Sequence, residues 1–241
     1  MKVAILSDIH GNFTALDAVL RVAAHERVEL LLILGDCVGY YYEAAKVIEG
    51  LESWNSVMIR GNHEDMLARS RRSPAALASV TEKYGHGVSV ALKNLDEAHL
   101  DLLEELPEQR EVVLEGVRLL LNHGSPFDHD AYIYPDADVQ RLSDTAITKY
   151  DFVLTGHTHH AFASVVRGVT LLNPGSVGQP RDWGGAASWI ILDTTNKVFR
   201  FIRTGYEVES VADQARHRDP SMNYLVDILY RNQGPGGADD T

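Results

Sequence analysis

The chain has 241 residues and 45% hydrophobic content, enough to bury an α/β core and too apolar for global disorder. A net charge of −12 excludes a protein that wraps nucleic-acid backbone by electrostatics, but a small or end-on nucleotide remains open because a metal can supply local positive charge. The single cysteine, Cys37, excludes an intramolecular disulfide; with no signal-peptide pattern and no run of about 18 apolar residues, the reading is a cytoplasmic protein without a membrane span.

Residues 3–6 are a short apolar run that ends in Ser7-Asp8-Ile9-His10-Gly11-Asn12. Asp8 and His10, two apart on extended backbone, face the same side and form half of a metal site. Helical spacing follows over 13–25, then a buried strand over 29–34 ending at Gly35-Asp36. Residues 40–51 read as a helix. Residues 56–59 form a third strand, ending at Arg60-Gly61-Asn62-His63-Glu64. Strands alternating with helices, each strand ending in a polar cluster, are the arrangement of an open α/β sheet with ligands at the carboxyl ends.

Residues 62–106 are mostly helical, with breaks at Ser73-Pro74 and Tyr84-Gly85-His86-Gly87. After Pro107 the pattern changes. A hairpin is expected from 111–114 and 117–121, ending at Asn122-His123-Gly124-Ser125-Pro126, then a loop and a helix over 138–148. The strand 152–154 ends at Thr155-Gly156-His157-Thr158-His159. A second hairpin, 162–166 with 169–172, closes on Asn173-Pro174-Gly175-Ser176. Strands at 189–192 and 198–202 and helices at 208–214 and 222–231 complete a single domain over 1–231, and 232–241 reads as a disordered tail.

Five of the eleven histidines (His10, His63, His123, His157 and His159) fall in the strand-end clusters, most beside a glycine that permits a sharp exit and close backbone approach. The candidate ligands are Asp8, His10, Asp36, Asn62, His123, His157 and His159, all oxygen or nitrogen donors. Seven is too many for one tetrahedral zinc. They suit two ions roughly 3.5–4 Å apart, bridged by one carboxylate, which together clamp a phosphate and generate hydroxide near neutral pH. Asp36, alone at the end of a central strand, is the natural bridge and the catalytic carboxylate. Such donors admit manganese, iron, zinc, cobalt or nickel, with manganese the leading expectation.

In order and spacing, Asp8-x-His10, Gly35-Asp36, Gly61-Asn62-His63-Glu64, His123-Gly124 and Gly156-His157-x-His159 resemble the calcineurin-like metallophosphoesterase superfamily over roughly residues 1–205. The resemblance implies a four-layer α/β fold, a two-sheet β-sandwich flanked by helices, with a dinuclear site on one edge. It also implies that Asp8, His10 and His159 hold one ion, that Asn62, His123 and His157 hold the other, and that Asp36 bridges them. His63 would stabilise the phosphate in flight or protonate the leaving oxygen, a proton a histidine can supply near pH 7. No Arg follows Gly35-Asp36 as it does in the protein phosphatases and symmetrically cutting diadenosine tetraphosphatases. Gly11-Asn12 and Asn173-Pro174-Gly175-Ser176 resemble instead the small bacterial and archaeal phosphodiesterases, some of which carry cysteine where this chain has His63.

The expected activity is therefore hydrolysis of a phosphodiester, a nucleotide or dinucleoside polyphosphate among the options. The alternatives are a phosphomonoesterase and a non-catalytic scaffold of the same fold. Expected substrate contacts are Arg60, Tyr40, Tyr132 and Arg181. Two aromatic groups, Tyr40-Tyr41-Tyr42 and Phe127, Tyr132 and Tyr134, lie on loops, where they either pack under a lid or at a dimer contact, or stack on a base. Oligomeric state is not legible.

Overall fold

The computed structural model describes residues 1–232, so the expected tail at 232–241 lies outside the described residues except for Asn232. Strand β1 (Lys2–Leu6) alternates its side chains, sending Ala4 and Leu6 one way and Val3 and Ile5 the other. It pairs in parallel with β2 (Leu30–Ile33), which pairs in parallel with β3 (Ser56–Met58). On the other side β9 (Ala186–Asp193) and β10 (Val198–Gly205) add antiparallel, giving the order β10-β9-β1-β2-β3.

A second sheet has the order β4-β5-β6-β8-β7, from β4 (Gln109–Leu114), β5 (Val117–Asn122), β6 (Phe152–Leu154), β7 (Ala161–Val166) and β8 (Val169–Pro174). Its three central strands are parallel and both edges are antiparallel. The strands thus divide between two mixed sheets and do not form one open sheet. β1 and β2 are apolar on both faces, and here the second sheet covers one face while helices cover the other.

Val3, Ile5, Leu30, Leu32, Leu119, Leu121, Leu154 and Ile190 fill the space between the sheets. The outer face of the first sheet packs on α1 (Phe13–His25), α2 (Ala44–Glu52), α5 (Gly87–Asn94) and α6 (Glu97–Glu105). The outer face of the second is covered by residues 131–150, including α7 (Val139–Thr145). Four layers result, as expected.

The long helical stretch breaks where Ser73 caps α4 (Pro74–Tyr84) after α3 (Asn62–Arg72), and again at Gly85. A further break was not anticipated: the Asp96 side chain caps α6 by accepting from the His99 amide. Residues 40–43 are not helical, contrary to expectation. The Tyr41 and Glu43 amides donate to the His10 and Gly11 carbonyls, which binds this segment to the β1 exit and delays α2 to Ala44. The chain continues through α8 (Val208–Arg218) to α9 (Tyr224–Asp227) and a 3₁₀ turn at Ile228–Tyr230. These last elements enclose Tyr40, Tyr41 and Tyr42. No described helix is long and apolar enough to cross a membrane.

Candidate metal centre

The parallel strands end on one edge of the sandwich, so the loops after β1, β2, β3, β5 and β6 meet there. Ligand atoms of Asp8, His10 and His159 lie within 4.8 Å of one another, as do those of Asp36, His123 and His157, and those of His10, Asp36 and His63. All seven of these residues are buried. Asn62, half-buried, adds its Oδ1 3.0 Å from His123 Nε2. The structure therefore brings together every ligand proposed from the sequence, and His63 with them.

The backbone decides which imidazole nitrogen faces inward. His10 Nδ1 lies 3.1 Å from the Val38 carbonyl, His123 Nδ1 2.7 Å from the Leu34 carbonyl and His159 Nδ1 2.7 Å from the Gln179 carbonyl. A carbonyl only accepts, so each Nδ1 carries the proton and each Nε2 presents a lone pair, the orientation a metal ligand requires. His10 Nε2 and His159 Nε2 then face each other at 3.1 Å, with Asp8 Oδ1 3.2 Å from the latter and without a hydrogen-bond donor. Three buried acceptors converging on one point call for a cation.

The other half tells the same story through its charges. Asp36 Oδ2 is 3.4 Å from His123 Nε2 and 3.7 Å from His10 Nε2, between the two groups. Burial opposes charge on His123, but Asp36 and Asp8 outweigh it and push the imidazole up to about 10. The carboxylates thus demand positive charge there, which a divalent ion supplies on displacing the proton. His157 is held down to about 4 by burial and by His123, so it stays neutral, with Nδ1 3.1 Å from His123 Nε2. The donor set fits two ions.

This convergence is bought with backbone strain. Asp8, His10, Asp36, His157 and His159 all have φ between 53° and 63°, a left-handed region that costs a residue with a side chain energy. Aspartate and histidine tolerate it better than β-branched residues do. Gly61 is required at its position, because a Cβ there would stand 2.2 Å from Asp36 Oδ1.

Several residues that hold the ligands were quoted in the sequence motifs without a role. Glu64 accepts from the amides of Asp36 at 2.8 Å, Cys37 at 2.8 Å, Val38 at 3.3 Å and Gly61 at 2.7 Å. It fixes the bridging aspartate's loop to the start of α3. Burial and the Asp36 charge push its carboxyl up to about 7 against the pull of the Gly61 and Asp36 amides. Ser176 Oγ donates to the Asp8 carbonyl and Asn173 Nδ2 to the Gly156 carbonyl, both at 2.7 Å. The spacing of Glu64 from Gly61 is that of a helix N-terminal capping pair, and this was the available signal.

The His63 ring is buried against His10, Tyr40 and Tyr84, and its Nδ1 has no hydrogen-bond partner. Its backbone N–H donates to Asp36 Oδ1 at 2.8 Å. Tyr40 stands edge-on to His10, with its hydroxyl 3.1 Å from Arg181 Nη2, and the Tyr132 ring lies 4.1 Å from that of His157. Arg60 is not brought in. Its guanidinium pairs with Asp65 at 3.1 Å and Glu108 at 2.6 Å and donates to the Leu106 carbonyl. Tyr41 and Tyr42 face the C-terminal helices, where their hydroxyls donate to the Leu225 carbonyl and to Asp219 Oδ2. Phe127 is exposed to solvent. Cys37 is a free, buried thiol.

Comparison with known proteins gives the chain's family and fold. The profile of the calcineurin-like phosphoesterase superfamily domain matches residues 1–197. Phosphodiesterase YfcE of Escherichia coli is 28% identical over 196 residues, 80% of this chain and 88% of its own. A metallophosphoesterase structure from Sphaerobacter thermophilus superposes with a TM-score of 0.75 at 26% identity, covering 95% of this chain and 98% of the other. A hypothetical protein from Pyrococcus horikoshii shares the fold with a TM-score of 0.85 at 22% identity, covering 95% and 97%.

Proposed function

The chain belongs to the calcineurin-like phosphoesterase superfamily, and from that membership and its metal centre we propose that it is a dinuclear, metal-dependent phosphodiesterase of small substrates. The observation that carries the reading is the set of buried lone pairs, His10 Nε2 and His159 Nε2 at 3.1 Å beside an unpartnered Asp8 Oδ1, mirrored by His123, His157 and Asn62 around Asp36. Asp8, His10 and His159 would hold one ion, Asn62, His123 and His157 the second, with Asp36 common to both. When bound, such ions neutralise phosphate charge and make hydroxide available near neutral pH. Oxygen and nitrogen donors without thiolate suit manganese first, then iron, zinc, cobalt or nickel.

The remaining work falls to the chain. The carbonyls of Val38, Leu34 and Gln179 fix the imidazole tautomers. His63 is kept below its usual pKa by burial, against the pull of Asp36, so it enters the reaction neutral. A neutral imidazole still has one N–H, and from beside Tyr40 it would donate a hydrogen bond to a phosphate oxygen and stabilise the charge that develops there, without giving up the proton. A second reading is a phosphomonoesterase, since a histidine at position 63 serves either ester class. A cytoplasmic setting is supported by the lone, buried Cys37.

The test is hydrolysis of bis(4-nitrophenyl) phosphate by manganese-loaded protein, with the monoester 4-nitrophenyl phosphate beside it. The diester is expected to be the faster substrate. Asp36→Asn and His123→Ala should each abolish turnover while circular dichroism shows an intact fold. Activity retained in both variants would overturn the two-metal reading.

A further inference from the structure

A cavity of about 590 Å³ opens beside the metal centre, on the side of His10 and His63, within the size range of sites for small ligands. Tyr40, Tyr84, Tyr132 and Tyr224 line it, together with Arg181 and Lys83. The rings are not a closed core. Tyr132 and Tyr224 are each nearly half exposed, and Tyr84 lies T-shaped to Tyr40 with centroids 5.8 Å apart. Flat faces at several angles are thus presented to whatever enters.

The charge of this cavity is opposite to that of the chain. The whole protein carries 34 acidic and 22 basic residues, yet no aspartate or glutamate is among the described residues lining it. Arg181 is half-buried and has no carboxylate partner among the described residues. Its Nη2 donates only to the Tyr40 hydroxyl, and its Nε is buried without a partner. Lys83 likewise makes no ion pair among the described residues and sits 4.8 Å over the Tyr84 ring. A half-buried guanidinium left with a hydroxyl is a standing anion site. Arg181 also starts next to the first metal triad, since its amide donates to the His159 carbonyl at 3.1 Å. Its guanidinium meets the Tyr40 hydroxyl, and the Tyr40 ring stands 4.6 Å from that of His10, so an anion held there lies on the side of the cavity that faces the candidate metal site.

The far wall comes from outside the family profile, which ends at residue 197. Met222, Tyr224 and Leu225 form it, and Asp219 ties it to the α4–α5 turn by accepting from the His86 amide at 3.0 Å and lying 2.5 Å from His86 Nδ1. The same aspartate accepts from Tyr42 at 2.7 Å, so both walls and the tyrosine segment are joined at one carboxylate.

We propose that this cavity is a nucleotide subsite, in which a base lies against the tyrosines and a phosphate next to the one being cut is held by Arg181 and Lys83. The proposal rests on the phosphodiesterase reading and narrows its substrates to nucleotides with two or more linked phosphates. Every base offers a π-face, so such stacking selects a ring and not one particular base. The second phosphate supplies the charge that Arg181 lacks.

Calorimetric titration of metal-free protein in chelator isolates the cavity from the metal–phosphate clamp. The probes are adenosine, adenosine 5′-diphosphate and inorganic phosphate. The diphosphate should bind at least about tenfold more tightly than adenosine or phosphate, the scale of one charge-assisted hydrogen bond. Arg181→Ala should remove that advantage and Arg181→Lys restore part of it. Lys83→Ala, at an exposed position, should cost the diphosphate several-fold. Equal affinity for adenosine and its diphosphate, or unchanged diphosphate binding in Arg181→Ala, would overturn the subsite. Hydrolysis of bis(4-nitrophenyl) phosphate by manganese-loaded wild-type protein reports separately. Turnover without nucleotide selectivity rejects the subsite alone, and no turnover rejects the reading beneath it.

Discussion

The candidate metal centre and the cavity beside it are neighbours built on different principles. The centre is held by backbone: carbonyls orient the imidazoles, amides grip Glu64, and five ligand residues keep left-handed backbone in place. The cavity is held by side chains, with Asp219 joining Tyr42, His86 and the C-terminal wall. Backbone-built geometry tolerates little change, because each strained residue depends on the loops around it. Side-chain tethers can be lost singly. On the proposed reading, chemistry is kept in the rigid region, and selectivity in the one where substitution is cheaper.

Damage to the centre and damage to the wall should therefore look different. The largest effect belongs to the bridging carboxylate. Asp36→Asn should lower kcat for bis(4-nitrophenyl) phosphate by about a thousandfold or more, the scale of removing a group the reaction runs through. Bound metal, read by atomic emission, should fall with it.

Glu64→Gln comes next. The amide side chain puts a donor among four donating amides, which costs roughly 1–3 kcal/mol in urea denaturation. Metal affinity should drop by about 10–100-fold, as for other residues that orient ligands. Loss of stability without loss of metal affinity would mean that the rigid region does not need its frame.

Asp219→Asn should act on the other region. Burial pushes the Asp219 carboxyl up, but the His86 amide, the His86 ring and the Tyr42 hydroxyl outweigh it and hold the group below its usual value. A folded pKa below the unfolded one gives stability that is present above the unfolded carboxylate range, near ~4, and is lost as pH falls through the lower folded value. The variant should lose about 1–2 kcal/mol at neutral pH and show a flatter acid limb in a stability–pH profile. KM for a nucleotide diester should rise, with kcat for the aryl diester little changed. A fall in kcat alone would break the division between the two regions.

Arg60→Ala should have the smallest effect. Its partly exposed pairs with Asp65 and Glu108 are worth about 1 kcal/mol or less, and turnover should stay near wild type. A large loss of turnover would return Arg60 to the phosphate.

The candidate centre is legible in the sequence because its proposed ligands come as local pairs at strand ends, each with its own glycine or short spacing. Asp8 and His10, or His157 and His159, are visible without knowing which strands are neighbours. The two-sheet arrangement was legible only through the family resemblance, since alternation and run length do not say which sheet a strand joins. What stayed hidden depends on distant partners. Arg60 looks like a free strand-end cation until Glu108 folds beside it. Residues 40–51 read as one helix, but the β1 exit takes the Tyr41 and Glu43 amides at its start. Lys83, Tyr84 and Tyr224 carry no motif, because their meeting depends on the contact between His86 and Asp219 across 133 residues.

The central claim, two ions acting together at this strand-end edge, is met most directly by titrating manganese into metal-stripped protein while following bis(4-nitrophenyl) phosphate hydrolysis. The activity should rise until two equivalents per chain are bound and then level. Saturation at one equivalent, or hydrolysis indifferent to metal, would contradict it.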